Sequence, residues 1–407
     1  IGLRAGLGEG GGHGWLLAQQ IVHGEACYDT WCLDPRRFTS HTNVEMTSLK
    51  AIEDYQNEFR FHFPHEHRPA ARHAKTTPLT PIMANQNAEF TVINGWERVE
   101  YIKPSEDFRP SLSFHFDATF EIVANEVTNV QNNVGLTEVN GFNRFEIIGS
   151  DANSFVDRMF CGNVTHKSGR VGLGYLLNDF GKIKSEATIS NIPASDRGPK
   201  RIWYGSAAAS EFHDMDWLQQ HIKIDENVEI KSLTNDQTIL LLAGPKAREV
   251  ISKCSREDWS KEAFPWLSVR ECFIGFSAAT VMSVSFSGEL AYEVHIPNES
   301  LYVAYLTLSK AGEEFGMMLF GSRAVESMRM EKGFLAWKSD LLTEFDPFET
   351  GLDRFVNLNK DNFIGKDALQ NRIKNSQKQK LVCLNVACKH APAYGGASLV
   401  EAGNVIG

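Results

Sequence analysis

The chain has no apolar run of 18 residues or more, so its sequence offers no helix that would span a membrane. Its start, IGLRAG, has neither a Met nor an apolar run of the usual length, so no secretory signal is expected from it. Clustered basic residues are missing as well. Lys and Arg total 41 against 51 Asp and Glu, a net charge of −10, and this argues against the electropositive footprint of a nucleic-acid binder. Cysteine is scarce and badly spaced for a metal. The seven are scattered, and Cys27/Cys32 and Cys383/Cys388 each have four residues between them, poor for a zinc knuckle. They read as reduced thiols of a cytoplasmic protein, or of the mitochondrial matrix if the source is eukaryotic.

What remains is ordinary globular composition, 42% hydrophobic and 23% charged, with length enough for two or three domains. GEGGGHGWLLAQQIVHGE (8–25) reads as a glycine turn opening an amphipathic helix from about His13 to Val22, a junction whose free amides suit an anion. GLGEGG (6–11) matches G-x-G-x-x-G. It has only five residues before it and no acidic-ended strand after it, so it reads as a glycine turn touching a cofactor held elsewhere rather than as a primary dinucleotide site. Prolines at 64, 69, 78, 81 and 104 mark residues 36–106 as a loop-rich connector over a surface, with one helix around Met46–Phe59. The histidines of HFPHEHRPAARH (62–73) lack a Cys or Asp among them and read as solvated loop residues, with no metal. Phe108–Phe120 alternates like a strand.

Further on the chain repeats itself. FEIIGSDANSFVDRM (145–159) and LLLAGPKAREVISKC (240–254) share an apolar strand, a Gly turn, an Ala three residues later and an apolar position seven after the Gly. Gly149, Ala152 and Val156 thus correspond to Gly244, Ala247 and Ile251, which implies a duplicated α+β domain. VMSVSFSGELAYEVHIP (281–297) reads as two strands around Ser287–Gly288, followed by helices over Leu301–Phe315 and Arg323–Lys332. KLVCLNV, from Lys380, reads as the first strand of a small barrel, and EAGNVIG stops as another begins, so the chain reads as a piece of something longer.

Three places offer chemistry. Glu186 stands at the head of an apolar strand after the Gly181 turn, where a carboxylate opposite a cavity can take a proton or stabilise a cation. Glu289 and Glu293, four apart in a strand, fall on one face. Arg323 and Arg329 share a helix with Glu326 and Glu331, able to pair with them.

SFSGELAYEVHIP, SRAVESMRMEKGFLAWKSDL, TEFDPFETGL and FIGKDAL together resemble the aminomethyltransferase (glycine-cleavage T-protein) family, and more closely the folate-binding half of dimethylglycine and sarcosine dehydrogenases. The resemblance runs from about Phe108 to the end. GGGHGWLLAQQIVHGE, DPRRF, HFPHEHRPAARHAKTTPL and NGWER are similar to the tail of the flavin domain in those fused enzymes. The resemblance implies an α+β fold: the tail of an FAD-binding oxidoreductase domain (1–35), a connector (36–106), a duplicated α/β-sandwich folate-binding domain (107–378) and the start of a small C-terminal β-barrel (379–407). It implies FAD, with Gly11, Gly12, His13 and Gly14 against it, and tetrahydrofolate. Glu186 takes the catalytic position, Glu293 the carboxylate that meets the pteridine with Val294 and His295 beside it, and Arg323 the arginine that meets folate. Phe286 stands where some relatives have Tyr, Leu173 replaces another aromatic, and Gly205 lets the backbone approach. The implied activity is oxidation of an N-methyl amine and transfer of its carbon to tetrahydrofolate. A small molecule is the expected partner, with no nucleic acid and no membrane. A free-standing folate-dependent transferase and a non-catalytic regulatory relative are the alternatives.

Overall fold

A computed structural model describes residues 6–208, 210–374 and 379–407. The first helix, α1 (Gly6–His23), already contains the glycines expected to form a turn. An added Cβ at Gly8, Gly10, Gly11, Gly12 or Gly14 meets nothing within 4 Å, so these glycines lie on an open helix surface. The expected turn is therefore helix, and at Gly11–Gly14 the amides are spent on intrahelical bonds, since only the first four N–H groups stay free. Helix α2 (Val44–Gln56) follows where expected, capped by the Asn43 side chain on Met46 N.

A short helix α3 (Thr80–Asn85) and the hairpin β1 (Ala88–Ile93)–β2 (Trp96–Ile102) come next. Leu79, Met83, Phe90 and Val99 from this stretch are buried in the largest apolar core, so the proline-rich connector sinks into the body over its last third. Residues 108–116 form no strand; Asp117 instead caps helix α4 (Ala118–Asn132), accepting from Thr119 N at 3.0 Å. Helix capping and the Val123, Val127, Val130 stripe win over the short alternation before it.

Two repeated units build the rest. After β3 (Gly135–Val139), the first runs β4 (Asn143–Ile148), α5 (Ala152–Met159), β5 (Val171–Leu177), β6 (Ile183–Ile192), β7 (Arg201–Ser206) and α6 (Glu211–Gln220). After β8 (Glu229–Ser232), the second runs β9 (Gln237–Ala243), α7 (Ala247–Cys254), β10 (Val269–Ile274), β11 (Ser277–Met282), β12 (Ala291–Pro297) and α8 (Leu301–Gly312). The match extends to packing. Ala152, Phe155, Val156 and Met159 are buried at the same spacing as Ala247, Val250, Ile251 and Cys254. The lead strands are exchanged: β8 pairs with β4, and β3 pairs with β9. The sheets are therefore ordered β5-β6-β7-β4-β8 and β10-β11-β12-β9-β3, with β13 (Met318–Leu319) added parallel to β3.

Strand alternation sorts the residues into layers. Phe145, Ile147, Ala187, Ile189 and Tyr204 pack outward on α5 and α6. Leu240, Leu242, Tyr292, Val294 and Ile296 pack outward on α7 and α8. Between the sheets, Val171, Ile192 and Trp203 meet Val269 and Met282. Helix α9 (Ser322–Glu331) and α4 close over the inner face of the second sheet at Leu241, Ala243 and Ala291. The segment around Leu341, Leu352 and Phe363, leading to α10 (Lys366–Lys374), packs on Tyr175, Leu177 and Ile183. Beyond it, residues 380–386 form no strand: they are exposed, with Leu381 N bonded to Glu349 O at 2.8 Å, and no neighbouring strand offers a ladder. The hairpin β14 (Val400–Glu401)–β15 (Asn404–Val405) is the strand structure described there.

Candidate active site between the two sheets

Glu186 is positioned by the hairpin that precedes it. The Asn178 carboxamide accepts from Phe180 N and Lys182 N, and Gly181 takes φ +73°, fixing the β5–β6 turn. This register sets Glu186 opposite Tyr175, whose hydroxyl donates to Glu186 Oε2 at 2.7 Å. Burial, with the Asp340 carboxylate nearby, pushes Glu186 up to about 7 against the opposing pull of Tyr175. Leu173, Thr188, Gly205 and Arg144 form one row across β5, β6, β7 and β4, on the face that carries Glu186. Leu173 is 39% exposed and lines a cavity of about 460 Å³ with Arg354, Phe355, Asn163 and Asn357. A Cβ on Gly205 would come 2.9 Å from Thr188 Oγ1, so the row is tight there.

From the opposite sheet, β12 turns Glu293 and His295 inward. His295 is buried, its Nε2 is 3.2 Å from Glu293 Oε2, and its ring meets Trp203 at 5.8 Å across the gap. Burial and the Arg144 cation push it down to about 4, so it is neutral. Phe286, 38% exposed, lies in the turn between β11 and β12, beside Gly288 at φ +78°. Glu289 precedes β12, so strand alternation does not reach it; it pairs with Lys332 at 3.4 Å.

Two expected residues stand elsewhere. Val294 alternates away from Glu293 and is fully buried with Leu240, Leu242 and Tyr292, so its side chain cannot line the site. Arg323 Nε bonds Glu100 at 2.9 Å and its terminal nitrogen bonds Thr119 Oγ1 at 2.9 Å, with no hydrogen bond or ion pair to Glu293 among the described residues. Glu100 also takes His67 Nε2 at 2.6 Å, and His73 lies 3.7 Å from Glu97, which pairs with Arg72. The histidine loop is therefore clasped to β2 rather than merely solvated. Arg329 does pair with Glu326, and also with Asp340.

The sequence reading missed Arg144 and Tyr175. In NRFEII (143–148) polar and apolar residues alternate, the usual mark of a strand with one face in water. Only the second sheet, laid over that face, makes Arg144 an interior residue. The four glycine-region residues Gly11, Gly12, His13 and Gly14 lie on α1, where His13 Nδ1 is 2.9 Å from Glu9 O. They supply no free amides for a phosphate, so they do not fit a flavin cradle of the expected kind.

Family comparisons agree with this architecture. The model described as GCVT N-terminal domain matches residues 79–360, and the FAD dependent oxidoreductase central domain matches 23–77. Mitochondrial dimethylglycine dehydrogenase of Homo sapiens is 32% identical over 100% of this chain and 47% of its own length. Mitochondrial sarcosine dehydrogenase of Mus musculus is 26% identical over 99% and 48%. The chain spans about half the length of these curated relatives. Among solved structures, the glycine cleavage system aminomethyltransferase T from Bartonella henselae superposes with a TM-score of 0.61 at 18% identity, covering 74% of this chain and 75% of that one, which shows the fold. No described helix is long and apolar enough to cross a membrane. With the first model matching well over half of the sequence, the chain belongs to the GCVT domain family and carries, ahead of that domain, a segment of the FAD dependent oxidoreductase central-domain family.

Proposed function

We propose that this chain is the folate-side half of a flavin-dependent N-methyl amine dehydrogenase of the dimethylglycine or sarcosine type. The longer protein oxidises the amine and passes the one-carbon unit to tetrahydrofolate, giving 5,10-methylenetetrahydrofolate. One observation carries the reading. Two carboxylates, Glu186 and Glu293, stand on the inward faces of opposed sheets in different settings, one pushed up to about 7 by burial and the other beside a buried cation. Paired carboxyl groups in unlike environments divide a reaction between binding and proton transfer.

Glu293 can only accept, and its two oxygens suit parallel N–H donors on the edge of a flat ring. Glu186, once ionised, favours an incoming iminium and takes the proton released by the attacking amine. Tyr175 holds it in place by donating to Oε2. Neutral His295 closes the site beside Glu293 without adding charge. The flavin supplies hydride-accepting chemistry in the longer protein, and no step is assigned to residues of α1. What α1 and α2 offer is surface: Ile21, Val22, Val44 and Tyr55 are each more than 70% exposed, an apolar face suited to packing on the oxidoreductase part.

In the full-length protein, calorimetric titration of tetrahydrofolate should give an affinity at least about tenfold lower for Glu293→Ala, the loss expected for hydrogen bonds to a charged group. Unchanged affinity would remove the assignment.

A further inference from the structure

Four arginines are buried among the described residues: Arg98, Arg144, Arg201 and Arg329. Arg201 is satisfied by Glu146 at 2.9 Å and Glu271 at 2.5 Å. Arg329 bonds Glu326, Asp340 and Phe334 O, and Arg98 bonds Asn140 O. Arg144 is different. It is 5% exposed, and no hydrogen bond or ion pair from its guanidinium is found among the described residues, whereas Arg98 leaves only its Nε unpaired. A guanidinium taken out of water costs several kcal/mol unless its donors are met, so an unmet one inside a protein marks a place for an acceptor from outside.

The surroundings show where that acceptor sits. The Arg144 backbone is pinned on both sides, its N–H to Thr234 Oγ1 at 3.1 Å and its carbonyl to Leu233 N at 2.8 Å. Its side chain turns inward, the guanidinium carbon 5.5 Å from the Trp203 ring centroid. The same Trp203 ring meets His295 at 5.8 Å, and His295 Nε2 lies 3.2 Å from Glu293, which acts on the Arg144 charge. The neighbour of Arg144 in the row is Gly205, over which the Thr188 hydroxyl leans to donate to the Gly205 carbonyl at 3.2 Å. A residue that only donates thus stands beside one that only accepts, Glu293. That pairing is complementary to a planar edge on which ring N–H donors adjoin a carbonyl oxygen.

The pteridine of folate has such an edge: a 2-amino group, N3–H and a 4-oxo oxygen in sequence. We infer that Arg144 donates to the 4-oxo oxygen while Glu293 accepts from the neighbouring N–H groups, so that Arg144 selects the 4-oxo form of the ligand. This rests on the folate reading of Glu293.

The test is calorimetric titration of the full-length protein with tetrahydrofolate and with its 4-amino-4-deoxy counterpart, in which a donor replaces the acceptor and N3 loses its hydrogen. The wild type should prefer the 4-oxo ligand by at least about tenfold. Arg144→Met should weaken tetrahydrofolate binding by about tenfold to a hundredfold and narrow the preference, leaving the part that the N3–H donated to Glu293 sets. Arg144→Lys, which keeps a donor, should retain much of the preference, an outcome that loss of folding does not imitate. No preference in the wild type, or an undiminished preference in Arg144→Met, would overturn the inference. Glu293→Ala separates the two ideas. If it weakens both ligands while Arg144→Met leaves their ratio alone, only the role of Arg144 fails. If it changes neither affinity, the folate reading itself fails.

Discussion

Glu186 shows how one side chain ties stability to chemistry. Its ordinary value of 4.5 is raised to about 7, chiefly by burial. The folded protein therefore holds a proton that the unfolded chain releases, and stability falls as pH rises from about 4.5 to 7. Glu186→Gln removes that penalty. In urea unfolding the variant should match the wild type near pH 4.5 and exceed it at pH 8 by roughly 1–3 kcal/mol. The same variant should bind tetrahydrofolate almost normally yet form methylenetetrahydrofolate about a hundredfold more slowly, as loss of a positioned base predicts. In the wild type that rate should climb with pH through about 7, the range in which Glu186 ionises. Equal rates in stopped-flow measurements would take Glu186 out of the mechanism. The position of Glu186 was legible in GKIKSEATI, where a turn glycine precedes an apolar strand. Its environment was not, because Tyr175 and Asp340 reach it from other segments.

Among the elements, two kinds of glycine carry opposite consequences. Gly149 and Gly244 sit at φ +122° and +129°, and a Cβ on them would meet Asn227 O at 2.0 Å and Asn133 O at 2.6 Å. Gly149→Ala should therefore lower stability by at least about 1–3 kcal/mol, since both the backbone and the neighbouring carbonyl resist it. Gly12 lies mid-helix in α1 with nothing within 4 Å. Gly12→Ala in this 407-residue chain should raise the helicity of α1 and add about 0.5–1 kcal/mol locally, measured by amide exchange. Matching signs for the two substitutions would contradict the conformations described. The repeated strand–glycine–helix units could be read because each uses the same local device at the same spacing. Helix α1 could not be read correctly, because glycine density signals a turn wherever propensity is the only guide. The strand expected over Phe108–Phe120 failed for a related reason: the Asp117 cap and the valine stripe of α4 lie just beyond the alternation.

At the scale of the molecule, the exchanged lead strands bind the two units into one cooperative body. Sheet one takes β8 from the start of the second unit, and sheet two takes β3 from the start of the first. Separating the units strands both edges, so residues 107–226 expressed alone should fail to fold, and the two sheets of the intact chain should unfold in a single calorimetric transition. Independent unfolding of the halves would show that the exchange is not a cooperative link. The sequence by itself determined the fold class, the duplication, and the helices over Leu301–Phe315 and Arg323–Lys332, because periodicity, turn glycines and long ordered motifs act within short stretches of chain. The tertiary structure alone decided which face each strand turns inward. It sends Val294 into a core, gives Arg323 to Glu100, and leaves the buried Arg144 guanidinium without an acceptor among the described residues. Those outcomes depend on which strand lies opposite, and strand exchange between distant segments is a contact that no local pattern specifies.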